Sequence, residues 1–422
     1  MSQQLHKRFS VKDVTETVLK YQNKEMTGTA AAAYLGIGRT RFYEIVAEVE
    51  KQGSAFTMEY KRKKANNRID QEVENNLRKE LEEDKKLIDN SKVPVKRYNY
   101  SYVCDQLTKN HQQEISLTTT IARAKEWGYW LGKPPKKSHD RQVITNYTGE
   151  LIQHDASHHL FAPLMERKLV LTTSLDDFSR ALLYADFWEH ETTWNHLQAA
   201  HILVGEYGIP HRFYVDQHRI FRYVKSRDKA SPWREFNKFT DDVDPQYKRA
   251  LKELNIDLIY ALSPQAKGKI ERPYQWLQDR VVRTCMRENV TTIEGAREVL
   301  NQIVYQYNWK WRHSTTNEIP MERFQDAIRE RKSLWRPVEL SSPYTGLGDI
   351  FCLRTTRIVD PYHYVSINNF KLQIPNVPPR HEVELRMTPD LKRGTIEVRC
   401  WFNGVCVDRI TVKSQELPIV QF

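Results

Sequence analysis

The sequence predicts a multidomain protein with an all-α N-terminal part, a central α/β domain and a β-rich C-terminal part. A chain of 422 residues is too long for one ordinary hydrophobic core. Apolar residues recur at helical spacing in the N-terminal third, whereas short strand-like runs alternate with helical ones further on. The predicted domain boundaries are 1–60, 61–138, 139–335 and 336–422.

The charge balance is strongly basic. Lysine and arginine number 65 against 54 aspartates and glutamates, which leaves a formal net charge of +11. Such a surplus favours a polyanionic partner, although it identifies neither a fold nor a site. No apolar run is long enough to span a membrane, and the N-terminus lacks a signal-peptide pattern. We therefore expect no membrane association.

The first domain, 1–60, has the pattern of a helix-turn-helix. Residues 9–52 read as three short helices, with Gly36 and Gly38 breaking the chain before the third. That third helix begins with Arg39 and Arg41, where a recognition helix would meet the major groove. We expect both arginines to bind DNA. A plain three-helix bundle with solvated arginines is the alternative.

A basic linker and a second helical domain are predicted over 61–138. The run KRKKANNR at 61–68 is typical of a solvated segment that can follow phosphates. Helices are expected near 71–88, 98–110 and 117–127. Ser116 followed by an apolar helix start is similar to the entry of another recognition helix. This predicts a second DNA-binding unit.

The central domain, 139–335, shows a distinctive order of elements. Three strands, a helix, a strand, a helix and a strand leading into a final helix form the order of a ribonuclease-H-like fold. The strands are expected at 150–155, 168–175, 181–187, 212–215 and 257–260. Asp155 and Asp216 end the first and fourth strands, and Glu271 lies in the helix that follows the fifth.

These three carboxylates suit phosphoryl transfer. Two divalent ions can hold the attacking and leaving oxygens of an in-line displacement. Magnesium prefers oxygen ligands and keeps several waters, so a few carboxylates suffice to bind it. A lone aspartate at a strand end is more often a turn former. Three carboxylates at these positions instead favour a metal site at Asp155, Asp216 and Glu271.

Four motifs carry a family resemblance: DASHH at 155–159, DDFSR at 176–180, YVDQHRIFR at 214–222 and SPQAKGKIER at 263–272. Together they resemble the DDE transposases of the retroviral-integrase superfamily, most of all the ISNCY-type insertion-sequence transposases of bacteria. The resemblance extends from the N-terminal helices to about residue 324.

The resemblance implies a transposase that binds its insertion-sequence ends and uses Asp155, Asp216 and Glu271 as catalytic and metal-binding residues. Cleavage by water would free a 3′-hydroxyl, which then attacks target DNA without a covalent protein–DNA intermediate. Mg²⁺ would be the cofactor, with Mn²⁺ able to substitute. Lys267, Lys269 and Arg272 would contact double-stranded DNA.

The same resemblance implies a homodimer or larger oligomer on DNA, in the bacterial cytoplasm with the nucleoid. Two other functions stay open from the residues: a catalytically inactive, transposase-derived DNA-binding regulator, and a ribonuclease-H-like nuclease without strand transfer. Histidines 154, 158, 159 and 218 crowd the two aspartates and could assist proton transfer, position a phosphate or simply pack.

Two segments are less informative. The run 222–248, rich in charge and aromatic residues, interrupts the family pattern, and its role is not readable. Residues 336–422 contain several short strands separated by Asn-Asn, Asn-Gly and proline-rich turns, which predicts a small β-barrel.

Overall fold

The computed structural model describes residues 5–58, 69–132, 144–216, 218, 220–221, 245–261, 268–367, 370–415 and 417, with the backbone alone of 268–273. The chain forms two compact units, Met1–Glu74 and Asn75–Phe422. Most of the interrupting segment 222–248 therefore lies outside the described residues.

The first unit contains three helices, α1 (Val11–Gln22), α2 (Gly28–Leu35) and α3 (Arg39–Gln52). Ser10 begins α1 with a reciprocal capping box, in which its hydroxyl accepts from the Asp13 N–H and Asp13 accepts from the Ser10 N–H. Gly36 ends α2 in the left-handed region at φ +64°, which favours glycine. The predicted N-terminal helices are confirmed.

Three more helices follow, α4 (Gln71–Asp89), α5 (Tyr100–His111) and α6 (Leu117–Glu126). Their bounds agree closely with the predicted ones. Ser116 caps α6 by accepting from the Thr119 N–H at 3.1 Å.

The central sheet has five strands in the order β3-β2-β1-β4-β5. They are β1 (Ile152–His159), β2 (Leu169–Asp176), β3 (Leu182–Trp188), β4 (Arg212–Val215) and β5 (Asp257–Tyr260). β1, β2 and β3 pair antiparallel, whereas β4 runs parallel to both β1 and β5. The predicted mixed α/β core is confirmed.

One detail of β1 differs from the prediction. Asp155 is the fourth residue of β1 and not its last, because pairing with β2 continues as far as His159 opposite Leu169. Asp216 directly follows Val215, the last residue of β4, as predicted.

Helices cover both faces of this sheet. One face packs on α9 (Gly268–Arg287) and α10 (Ile293–Trp309) through residues such as Leu171, Leu277 and Val299. The other face packs on α7 (Thr193–Tyr207) and α8 (Gln246–Glu253) through residues such as Phe213 and Leu197. Helix α11 (Pro320–Arg329) completes the core.

The C-terminal strands form an open antiparallel sheet. Its order is β11-β10-β9-β6, and β7 and β8 pair with each other as a separate two-stranded ladder. The strands are β6 (Leu353–Ile358), β7 (Tyr364–Ile367), β8 (Phe370–Gln373), β9 (Glu382–Asp390), β10 (Thr395–Phe402) and β11 (Val405–Lys413). Over the described residues no ladder joins β6 to β11, so a closed barrel is not confirmed.

Candidate active site

Asp155 and Asp216 lie just beyond the parallel pairing of β1 with β4. Ile152 lies opposite Phe213, and Gln153 lies opposite Tyr214. Asp155 and Asp216 each follow two residues after the paired Gln153 and Tyr214. Alternate residues of a strand share a face, so Asp155 lies on the same face as Ser157, which is the face that packs on α9.

Two hydrogen bonds fix α9 over this part of the sheet. Thr173, the residue opposite Asp155 on β2, donates its hydroxyl to Tyr274 Oη at 2.8 Å. Gln278 Nε2 donates to Ser157 Oγ, also at 2.8 Å. Burial, with a contribution from the Asp155 charge, raises the pKa of Tyr274 well above its ordinary value.

Glu271 lies in α9, three residues before Tyr274 and seven before Gln278. Positions separated by three and seven residues share one helix face, so the backbone places Glu271 on the side of α9 that meets the sheet. Its side chain lies outside the described residues, as do those of Lys269 and Arg272. Lys267 lies outside them altogether.

Asp155 and Asp216 are both partly exposed at the end of this surface. The Asp216 carboxylate accepts from the His218 N–H at 2.9 Å, directly after β4. Among the described side chains, which exclude that of Glu271, no group of three or more histidine, cysteine or acidic residues is arranged so that it could hold a metal ion.

Two curated proteins are similar to this chain in sequence. A predicted transposase of Sinorhizobium fredii, y4bF, is 24% identical over 352 residues, a match that spans 82% of this chain and 68% of that one. The transposase for insertion sequence IS1202 of Streptococcus pneumoniae is 32% identical over 236 residues, spanning 56% of this chain and 44% of that one. The chain is a relative of the insertion-sequence transposases. The family resemblance seen in the motifs is thereby confirmed.

Other comparisons are weaker. No family profile matches the chain. The catalytic core domain of HTLV-2 integrase in complex with magnesium overlaps 44% of this chain and 99% of its own length, at 15% identity and a TM-score of 0.30. So distant a likeness assigns no residue. None of the described helices is both long enough and apolar enough to cross a membrane.

Beside the two aspartates, this transposase relative has a carboxylate that the sequence did not single out. Glu191, in the loop after β3, accepts from His158 Nε2 at 2.6 Å and from His196 Nε2 at 3.1 Å. His218 Nδ1 lies 3.9 Å from the same carboxylate. Burial alone would raise the pKa of Glu191, but the hydrogen bonds from His196 and His158 outweigh it and lower that pKa to about 2.

A buried chain of hydrogen bonds leads from Glu191 into the core. His196 Nδ1 lies 2.8 Å from His154 Nε2, and His154 Nδ1 lies 2.9 Å from Ser174 Oγ. Since Glu191 accepts from His196, neutral rings satisfy the chain when His154 Nε2 donates to His196 and Ser174 donates to His154. Four histidines lie near the two aspartates in sequence. Of these, His154 is a packing residue on the α7 face, whereas His158 and His218 lie around Glu191.

The first unit contains the two arginines that we expect to bind DNA. Both are exposed on α3, but their contacts differ. Arg41 Nη1 donates to Glu44 at 2.7 Å and to Glu48 at 3.3 Å. Within the described part of the chain, Arg39 has no ion-pair partner. Phe42, Ile45 and Val46 of α3 fill the core, as predicted.

Proposed function

We propose that this protein is a DNA transposase that binds the ends of its insertion sequence, cleaves a strand there and joins the freed 3′-hydroxyl to target DNA. The observation that supports the proposal is the parallel pairing of β1 with β4, since Asp155 and Asp216 each follow two residues after the paired Gln153 and Tyr214 and α9 packs on β1 and β2. Kinship with transposases supports the same conclusion.

Asp155, Asp216 and Glu271 would be the ligands of two divalent ions. The donor set fits Mg²⁺, because it consists of carboxylate oxygens and two of them are open to solvent, which leaves room for bound water. Mn²⁺ would substitute. When bound, such ions supply Lewis-acid stabilisation of the charge on the transferring phosphoryl group.

The protein's own residues would position the DNA. Lys267, Lys269 and Arg272, at the start of α9, would contact phosphates next to the bond that is cut, since positive charge at that point attracts the backbone. In the first unit, α3 would read the element's end in the major groove with Arg39 and Arg41. Joining two ends to one target requires at least two active sites, so we propose a homodimer or larger oligomer on DNA.

Cleavage of a labelled duplex that carries the element's end tests this function. We expect a metal-dependent nick at the end with the parent protein and no nick with Asp155→Asn, while both bind the duplex equally well. Asp257→Asn is the matched control, because Asp257 is exposed on β5 of the same sheet and lies outside the site. Equal cleavage by Asp155→Asn, or loss of cleavage by Asp257→Asn as well, would overturn the assignment.

A further inference from the structure

Helix α9 is joined to the helices α4–α6 by a buried ion pair. Arg283 of α9 has a fully buried side chain, and its Nη1 lies 2.5 Å from Asp84 of α4, whose side chain is also fully buried. Arg283 Nη2 also donates to the backbone carbonyl of Arg97, in the segment between α4 and α5. Asp279, one turn earlier on α9, accepts from Arg283 at 2.9 Å.

Two further arginines repeat the arrangement at helical spacing. Arg287 Nη1 lies 2.5 Å from the buried carboxylate of Glu80 on α4. Arg280 pairs with Asp105 on α5. Positions 280, 283 and 287 are three and four residues apart, so all three guanidinium groups leave α9 on one side.

Aromatic and apolar side chains also pack between α9 and the helices α4–α6. The Tyr102 ring of α5 lies 5.3 Å from the Arg287 guanidinium carbon, and its hydroxyl lies 3.0 Å from Thr284 Oγ1. Val93 and Val95 pack on Val282. Water is thus excluded from the Arg283–Asp84 pair, whose two side chains are fully buried.

Separating these elements would leave several charges buried without partners, which is far more costly than parting exposed ones. Helices α4–α6 and α9 therefore behave as one rigid body. The N-terminal part of α9 carries Glu271. A ligand bound to helices α4–α6 would therefore have a fixed position relative to the proposed active site.

We propose that α4–α6 is a rigid arm that binds duplex DNA at the same end that the site cuts, within about one helical turn of the cut. From Glu271 to Arg283 is twelve residues of helix, or about 18 Å, and one further helix width adds about 10 Å. The sum corresponds to about eight or nine base pairs of duplex at 3.4 Å each. This inference rests on the proposed transposase function and deepens it.

The surface of the arm favours DNA on its α6 side. Thr120 and Ala124 of α6 are buried, which leaves Thr118, Ala122 and Lys125 exposed. On α6 itself, Arg123 pairs with Glu126 and leaves Lys125 as a further positive charge. The sequence that follows, which lies outside the described residues from 133 to 138, adds Lys133, Lys136 and Lys137 and no acidic residue. The exposed side of α4 instead has no surplus of positive charge, because four basic residues are balanced by four acidic ones: Arg78, Lys79, Lys85 and Lys86 against Glu72, Glu82, Glu83 and Asp89.

A tethered cleavage reagent on the full-length protein tests the arm. An iron chelate attached to Thr118→Cys on α6, bound to a duplex with the element's end, should cut the DNA backbone within about ten base pairs of the transposase cleavage position, one duplex turn. Ala122→Cys gives a second attachment point if Thr118→Cys impairs binding. Lys79→Cys, exposed on α4, is the matched control and should give no such cuts.

The unmodified sequence measures the background from Cys104 and Cys406, which are partly exposed. Cuts from α6 that lie only in target DNA, lie more than two turns from the end, or are absent while joining proceeds normally would overturn the arm alone. Cuts near the end from a protein that never joins DNA would instead support the arm and overturn the transposase chemistry.

Discussion

The Gln278 amide of α9 donates a 2.8 Å hydrogen bond to the Ser157 hydroxyl of β1, two residues beyond Asp155. This contact holds the helix that carries Glu271 against the strand that carries Asp155. Gln278→Ala should cost about 1 kcal/mol of folding free energy. We also expect cleavage at the element's end to slow by about tenfold, because catalytic groups tolerate little misplacement.

Single-turnover cleavage rates and thermal melting measure the two effects of Gln278→Ala. Gln275→Ala, exposed on the same helix, is the control for stability and should melt like the parent protein. An unchanged cleavage rate in Gln278→Ala would show that this contact does not position the site.

The buried pair between Asp84 and Arg283 predicts a large loss of stability on mutation. Asp84→Asn removes the charge with little change of shape and should destabilise the second unit by about 3 kcal/mol, since Arg283 then lacks one of its partners. Urea unfolding measures the loss. Glu83→Gln, one residue away in an exposed ion pair with Lys86, should change the free energy of unfolding by less than about 0.5 kcal/mol. Similar losses in both variants would contradict the buried pair.

Glu191 predicts a specific dependence of stability on pH. Its pKa of about 2 in the folded protein lies below the ordinary 4.5, so the carboxylate stabilises the fold fully above pH 4.5 and loses that effect as the pH falls towards 2. The full shift corresponds to roughly 3 kcal/mol, and screening by solvent at this partly buried carboxylate reduces the expected contribution to about 1–2 kcal/mol. Glu191→Gln should therefore be less stable than the parent protein at pH 7 by an amount of that order, and the gap should narrow at pH 3.

Unfolding free energies at pH 7, 4.5 and 3 check this. Glu189→Gln is the control, because Glu189 is half exposed in an ion pair with Arg167. If the difference in unfolding free energy between Glu191→Gln and the parent protein stayed constant with pH, the charge of the carboxylate would not contribute to stability.

The different surroundings of Arg39 and Arg41 predict unequal effects on DNA binding. Arg41 already donates to Glu44 and Glu48, whereas Arg39 has no ion-pair partner among the described residues. Arg39→Ala should weaken binding to the element's end by about tenfold and reduce the slope of log binding constant against log salt concentration by about one. Arg41→Ala should change both the binding constant and this slope less. Fluorescence anisotropy at several salt concentrations measures both. Unchanged discrimination between end and random DNA in Arg39→Ala would contradict the recognition-helix proposal.

Local signals in the sequence were sufficient for most elements. Ser116 and Gly36 mark helix ends through a short-range hydrogen bond and a left-handed turn, and these signals do not depend on the rest of the fold. The succession of strands and helices along the central domain was predicted from the same kind of local pattern. Asp216 was placed correctly because β4 is short and ends at Val215.

The misses involve long-range contacts. Asp155 was expected at a strand end, but β1 continues because β2 pairs with it, and β2 is separate in sequence. Arg283 and Asp84 are 199 residues apart, and no periodic pattern links them. Whether β6 meets β11 likewise depends on sheet curvature, which the turn residues between strands do not encode.

Joining of a pre-cut oligonucleotide from the element's end to plasmid DNA tests the central claim most directly. The parent protein and Glu271→Gln are compared in Mg²⁺ and in Mn²⁺, with end binding measured in parallel. We predict joined product with the parent protein in either metal, none with Glu271→Gln, and equal binding by both. Binding without joining by the parent protein, or joining that survives Glu271→Gln, would contradict a transposase that works through Asp155, Asp216 and Glu271.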